Sequence, residues 1–225
     1  MAEAWLAGAR RTEAPRDGGA MRGGAPRAVW LTSDTDPRAV SARSVAQSLT
    51  REGRPPHLVW SPYTGELVQP VPMTQAAARL PGEVGREGRV CAQIVVVGHA
   101  RDPFTTSPLA GLETIMSWLD AWGVPRRWPA GPPLPSPQAY NSPRHRRQWA
   151  RGGHFGHSQV PGSETADPGG IDIRRLTGPG TPIAEIPHPR ARPIEDRGVT
   201  PLPPRALTVP AAPLAGVPEP VRTRA

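Results

Sequence analysis

The chain has 225 residues and carries 27 basic against 19 acidic side chains, a formal net charge of +8. Every basic residue other than histidine is arginine, which excludes chemistry needing a lysine amine, and one cysteine, Cys91, excludes an internal disulfide. With 32 prolines and 24 glycines, the composition describes one domain with a modest core and long tails, and no stretch reaches the ~20 apolar residues of a membrane span.

In chain order, residues 1–26 show no apolar period and read as a disordered lead. The apolar run near the start is too short for a secretory signal, so a cytoplasmic location is expected. The domain is expected over residues 27–177. Ala28, Val29, Trp30 and Leu31 read as a buried strand. Asp36 suits a helix N-cap with Pro37 at the first helical position, and Val40, Val45 and Leu49 share one helical face up to Gly53. Residues 57–60 and 66–71 read as two strands joined by a turn at residues 61–65. A short helix is expected over residues 73–80. Residues 90–98 form a near-continuous apolar run, suited to a central strand covered on both faces, with Cys91 as a core residue. Ser107 and Pro108 suit the start of a second helix, whose stripe of Leu109, Leu112, Ile115, Met116, Leu119 and Trp122 ends at Gly123. Residues 138–151 read as a basic surface loop, and Ile171, Ile173 and Leu176 as a last short helix. Residues 178–225 carry a proline every few positions and read as an extended, disordered tail. Alternating strands and helices imply a single α/β domain with a mixed sheet and helices packed on it.

The stretch from Gly152 to Gly170 carries the chemistry. His157 and Asp167 flank a Gly/Pro-rich loop, an arrangement that can hold a metal ion across a loop; catalytic zinc takes about three protein ligands from His, Asp, Glu or Cys. The plainer reading of the same residues is a loop histidine hydrogen-bonded to an aspartate in a turn.

His157-Ser158-Gln159-Val160, followed by Thr165-Ala166-Asp167-Pro168-Gly169, resembles the closing motif of the zinc-dependent N-acetylmuramoyl-L-alanine amidases and the related peptidoglycan recognition proteins. Residues 90–98 resemble the central strand of that fold, and Pro56-His57-Leu58-Val59 with the turn at Thr64-Gly65-Glu66 resembles its Tyr-His-Phe strand and the hairpin after it. The resemblance spans about residues 27–177. It implies that His157 and Asp167 are zinc ligands and that Thr165 sits at the reacting carbonyl. It also implies that the partner is peptidoglycan or a muropeptide, cleaved or bound at the amide between the muramoyl lactyl group and L-alanine.

Two positions depart from the pattern. Leu31 stands where the family has its first zinc-binding histidine, and Pro56 stands where many members have a tyrosine. His154, Asp34 and His57 are the candidates for a substitute third ligand, although odd spacing on a strand would turn His154 away from His157, and a solvent-exposed histidine is its plainer reading. The alternative function is a catalytically inactive relative that recognises muropeptides or a protein. Trp128 and Trp149 either line a sugar-stacking groove or pack loops onto the core. A positive balance favours contact with polyanions, and an Arg-rich nucleic-acid-associated protein is a third, more distant alternative, because arginines spread along the whole chain fit a diffuse basic surface better than a specific interface; a monomer is expected.

Overall fold

A computed structural model describes residues 2–181. Six strands form one mixed sheet in the order β1-β4-β3-β5-β2-β6, with β1 at Arg10–Arg11, β2 at Arg27–Thr32, β3 at Leu58–Trp60, β4 at Leu67–Gln69, β5 at Cys91–Val96 and β6 at Gly153–Gly156. All pairings are parallel except the β3–β4 hairpin, where Val59 faces Val68 and Trp60 faces Leu67. The apolar runs of β2 and β5 pair over six residues each, and every residue of both is buried, as strands covered on both faces require.

Alternation divides the core into two layers. Ala28, Trp30, Leu58, Trp60, Ile94 and Val96 pack on one face beneath Leu112, Ile115, Met116 and Leu119 of helix α2 (Leu112–Ala121) and beneath Ile173 and Leu176 of helix α4 (Ile173–Thr177). Val29, Leu31, Val59, Val68, Cys91 and Val95 pack on the other beneath Ala42, Val45 and Ala46 of helix α1 (Ala42–Arg51) and beneath Trp149 of the short helix α3 (Arg146–Trp149). Burial pushes the Cys91 thiol up to about 12, so it behaves as a small apolar side chain.

Several boundaries differ from expectation, each for a local reason. Helix α1 starts at Ala42 with Ser41 as its N-cap, because Asp36 spends its carboxylate on the Arg38 N–H and closes a separate turn. Helix α2 starts at Leu112 behind the left-handed Gly111, because the Ser107 hydroxyl donates to the Phe104 carbonyl instead of capping. Residues 73–80 are not helical. Their backbone is captured by a buried pair, His57 and Gln93: His57 Nε2 donates to the Gln75 carbonyl at 2.9 Å, Gln93 Nε2 donates to the Ala77 carbonyl at 2.9 Å, and Gln93 Oε1 accepts the Leu80 N–H at 2.9 Å. The stretch at residues 138–151 holds α3 rather than being loop throughout, and its Trp149 is buried with the indole N–H on Glu87 at 2.8 Å. Trp128 is also buried, its N–H donating to Thr177 at 3.1 Å, so neither tryptophan lines a groove.

The lead is the largest correction. Residues 2–26 are built onto the domain rather than disordered. β1 pairs with β4, the Leu6 and Thr12 N–H groups donate to Gln69, and the indole N–H groups of Trp118 and Trp122 both donate to the Glu3 carbonyl. The segment covers an open sheet edge through its backbone, a role that leaves little apolar period for a sequence to display. Of the expected tail, residues 182–225 lie outside the described residues. No described helix is long and apolar enough to cross a membrane.

Candidate functional site

The central strands β5 and β2 and their neighbour β6 run parallel, so their C-terminal ends open on one edge of the sheet, where open α/β folds place ligands. There Thr32 ends β2, His99 follows β5, and His157 follows β6. The loop carrying Thr165 and Asp167 folds back over them. It is held by the Ser158 N–H donating to the Asp167 carbonyl at 2.6 Å and by Gly169, whose φ of +73° and contact with the Ala100 carbonyl leave no room for a Cβ. A cavity of about 550 Å³ results, within the range of ~300–1,000 Å³ common for ligand sites, and its walls include Thr32, Asp34, Arg79, His99, His157, Thr165 and Asp167.

The three residues singled out from the motif are therefore brought together. His157 Nδ1 lies 3.2 Å from Asp167 Oδ2, and since a carboxylate only accepts, Nδ1 donates and Nε2 remains for a ligand. Asp167 Oδ1 accepts from both the backbone N–H of Thr32, at 2.7 Å, and the Thr32 hydroxyl. Thr165 Oγ1 accepts the Asp167 N–H at 3.2 Å, which leaves its own hydroxyl proton to point at a ligand.

The β2 residue facing this pair is Thr32, not Leu31. Leu31 points to the opposite face and is fully buried in the core under α1. Polar termination of an otherwise apolar strand is the signal that marks Thr32 in the sequence.

None of the candidates for a third metal ligand joins the pair. His154 is fully buried instead of solvent-exposed, packed between Trp30 and Trp128 with its Nδ1 accepting the Trp30 indole N–H at 3.0 Å. Burial lowers its pKa to about 3. His57 is held by Gln75 and Gln93 inside the core, and burial lowers its pKa to about 4. Asp34 lines the cavity but pairs with His99 at 2.9 Å. Among the described residues no three His, Cys, Asp or Glu side chains are grouped to hold a metal. The residues present thus do not fit a catalytic zinc: both Asp167 oxygens are taken, by Thr32 and by Nδ1 of His157, which leaves Nε2 of His157 as the one open donor of the pair where about three are needed.

Arg79 is a second site residue, beside Thr32, that reading the sequence missed. It extends from the irregular segment pinned by Gln93 and borders the cavity beside Asp167. Its only signal in the sequence is a lone charge in an otherwise apolar run.

No family model and no curated protein matches the chain. Among solved structures it is similar to an endolysin N-acetylmuramoyl-L-alanine amidase of Clostridium intestinale, at 10% identity over 77% of this chain and 95% of that one, with a TM-score of 0.47. It is also similar to the hydrolase AmiA of Staphylococcus aureus, at 8% identity over 80% and 73% of the two chains, with a TM-score of 0.43. A third is AmpD of Citrobacter freundii, at 17% identity over 79% and 94%, with a TM-score of 0.44. Likenesses of this degree carry no residue-by-residue correspondence, so the site stands on its own geometry.

Proposed function

We propose that this chain is a recognition module for peptidoglycan stem peptides, binding the muramoyl–alanine region in the cavity at the ends of β2, β5 and β6 without metal-dependent cleavage of the amide. The carrying observation is the closed set of bonds around Asp167. Its two oxygens accept from Thr32 and His157, so the motif that resembles a zinc site acts here as a hydrogen-bonded His–Asp pair. Two features support a bound ligand. The motif residues His157 and Thr165 converge on one cavity as their segment folds back on itself, and each retains hydrogen-bonding capacity toward it. A stem peptide offers the amides and carboxylates that such donors and a nearby arginine engage.

The test pairs a sedimentation assay on insoluble peptidoglycan with zinc analysis of the dialysed protein, for wild type and His157→Ala. Wild type is expected to pellet with the wall material, to hold well under one zinc per chain, and to release no free stem peptide with or without added zinc; His157→Ala is expected to pellet less. Near-stoichiometric zinc together with zinc-dependent peptide release would overturn the reading in favour of hydrolysis.

A further inference from the structure

Arg79 is half-buried, and its Nε is shielded from solvent with no hydrogen-bond partner. None of the ion pairs found among the described residues includes it. Of the two carboxylates that act on it electrostatically, Asp167 is already occupied by Thr32 and His157, and Glu52 accepts from the Ser48 hydroxyl. The backbone that carries it is nevertheless firmly set, since the N–H groups on either side are tied down: Ala78 donates to the Pro55 carbonyl and Leu80 to the Gln93 side chain, each at 2.9 Å. A guanidinium whose Nε is cut off from water without a partner, and whose neighbours Asp167, Glu52 and Glu164 form no ion pair with it, is better satisfied by an anion from outside the chain.

Its location says what that is. Two cavities, of about 550 and 510 Å³, meet where Arg79, His157 and Thr165 line both, and Arg54 borders the second beside Arg79. A ligand running from one cavity into the other passes the guanidinium at the point where His157 and Thr165 address it. We propose that Arg79 is the carboxylate-recognition group of this site, engaging a free carboxylate of a peptide ligand next to the atoms held by His157 and Thr165. The planar fork of N–H donors suits a carboxylate in a two-bond arrangement, which a lysine at the same place would not reproduce. This assignment rests on the cavity being the ligand site described above and names the ligand group that selects for it.

The experiment follows modification of Arg79 by phenylglyoxal, mapped by mass spectrometry in the full-length protein. It is run alone and with N-acetylmuramoyl-L-alanyl-D-glutamate, the diamide of that compound, glutarate or glutaramide. The acids are expected to slow modification of Arg79 while the amides do not, and Arg79→Lys is expected to weaken muropeptide binding about tenfold, the loss of one charge-assisted hydrogen bond. The thermal midpoint of Arg79→Lys, read alongside, separates lost recognition from lost folding. Equal protection by acid and amide, or unchanged affinity in a folded Arg79→Lys, overturns the assignment and leaves the muropeptide reading standing. Protection by glutarate without any by the muropeptide upholds the carboxylate site and removes the peptidoglycan reading. Absence of protection by every compound overturns both.

Discussion

Thr32 decides between a metal centre and a hydrogen-bonded one, because its N–H and hydroxyl both close on a single oxygen of Asp167. Placing an imidazole there restores the third donor that zinc requires. Thr32→His is therefore expected to raise bound zinc toward one per chain, an increase that His157→Ala in the same background abolishes; elemental analysis after dialysis reads both. The buried histidines carry a separate consequence. Burial lowers His57 to about 4 and His154 to about 3, against 6.5 for the free side chain. The unfolded chain thus binds protons that the native chain refuses, so stability is full above pH 6.5 and falls as the pH drops from there toward 4. With both groups contributing, the slope approaches two protons, each about 1.4 kcal/mol per pH unit. Urea midpoints across that window check it, and His154→Gln should flatten the curve by about half. Of these residues, His157, Thr165 and Asp167 were legible because they lie in one short stretch with a recognisable spacing. Thr32 stands 135 positions from Asp167, and only the parallel alignment of β2 with β5 and β6 brings the two together.

Elements were legible where the apolar pattern is dense. The run that becomes β5 and the stripe that becomes α2 both declare themselves, since burial on two faces or along one helical side demands it. Their starting points were not, because Asp36 and Ser107 look like caps yet bond within turns of their own. Residues 73–80 follow the same logic: an apolar segment reads as a helix until the side chains of His57, just before β3, and Gln93, on β5, take its carbonyls. The loop over the site depends on one backbone conformation. Gly169→Ala forces a side chain into the left-handed region and against the Ala100 carbonyl. A loss of about 1–3 kcal/mol is expected, and on the proposed function a fall in muropeptide affinity with it, because Asp167 moves with the loop. Calorimetry on the variant measures the first and titration the second.

At the scale of the whole molecule, an α/β architecture with a mixed sheet follows from the four strands and the helices legible in the sequence, but the two edge strands, β1 and β6, do not. The lead crosses β4, buries Leu6 and offers the Glu3 carbonyl to two indoles of α2 and its C-terminal end, so the domain includes a segment whose composition suggested none. Removing residues 2–14 is expected to cost at least about 2 kcal/mol, the worth of burying Leu6 alone, seen as a lower denaturation midpoint and faster amide exchange along β4. The sole thiol of the chain lies at the other extreme, in the innermost strand and fully shielded. Because no partial fraying of an edge or loop uncovers it, its alkylation waits for the central strands to part. Cys91 thus serves as a clock already present in the natural sequence: the rate at which a maleimide labels the native protein reads how often the entire fold comes undone.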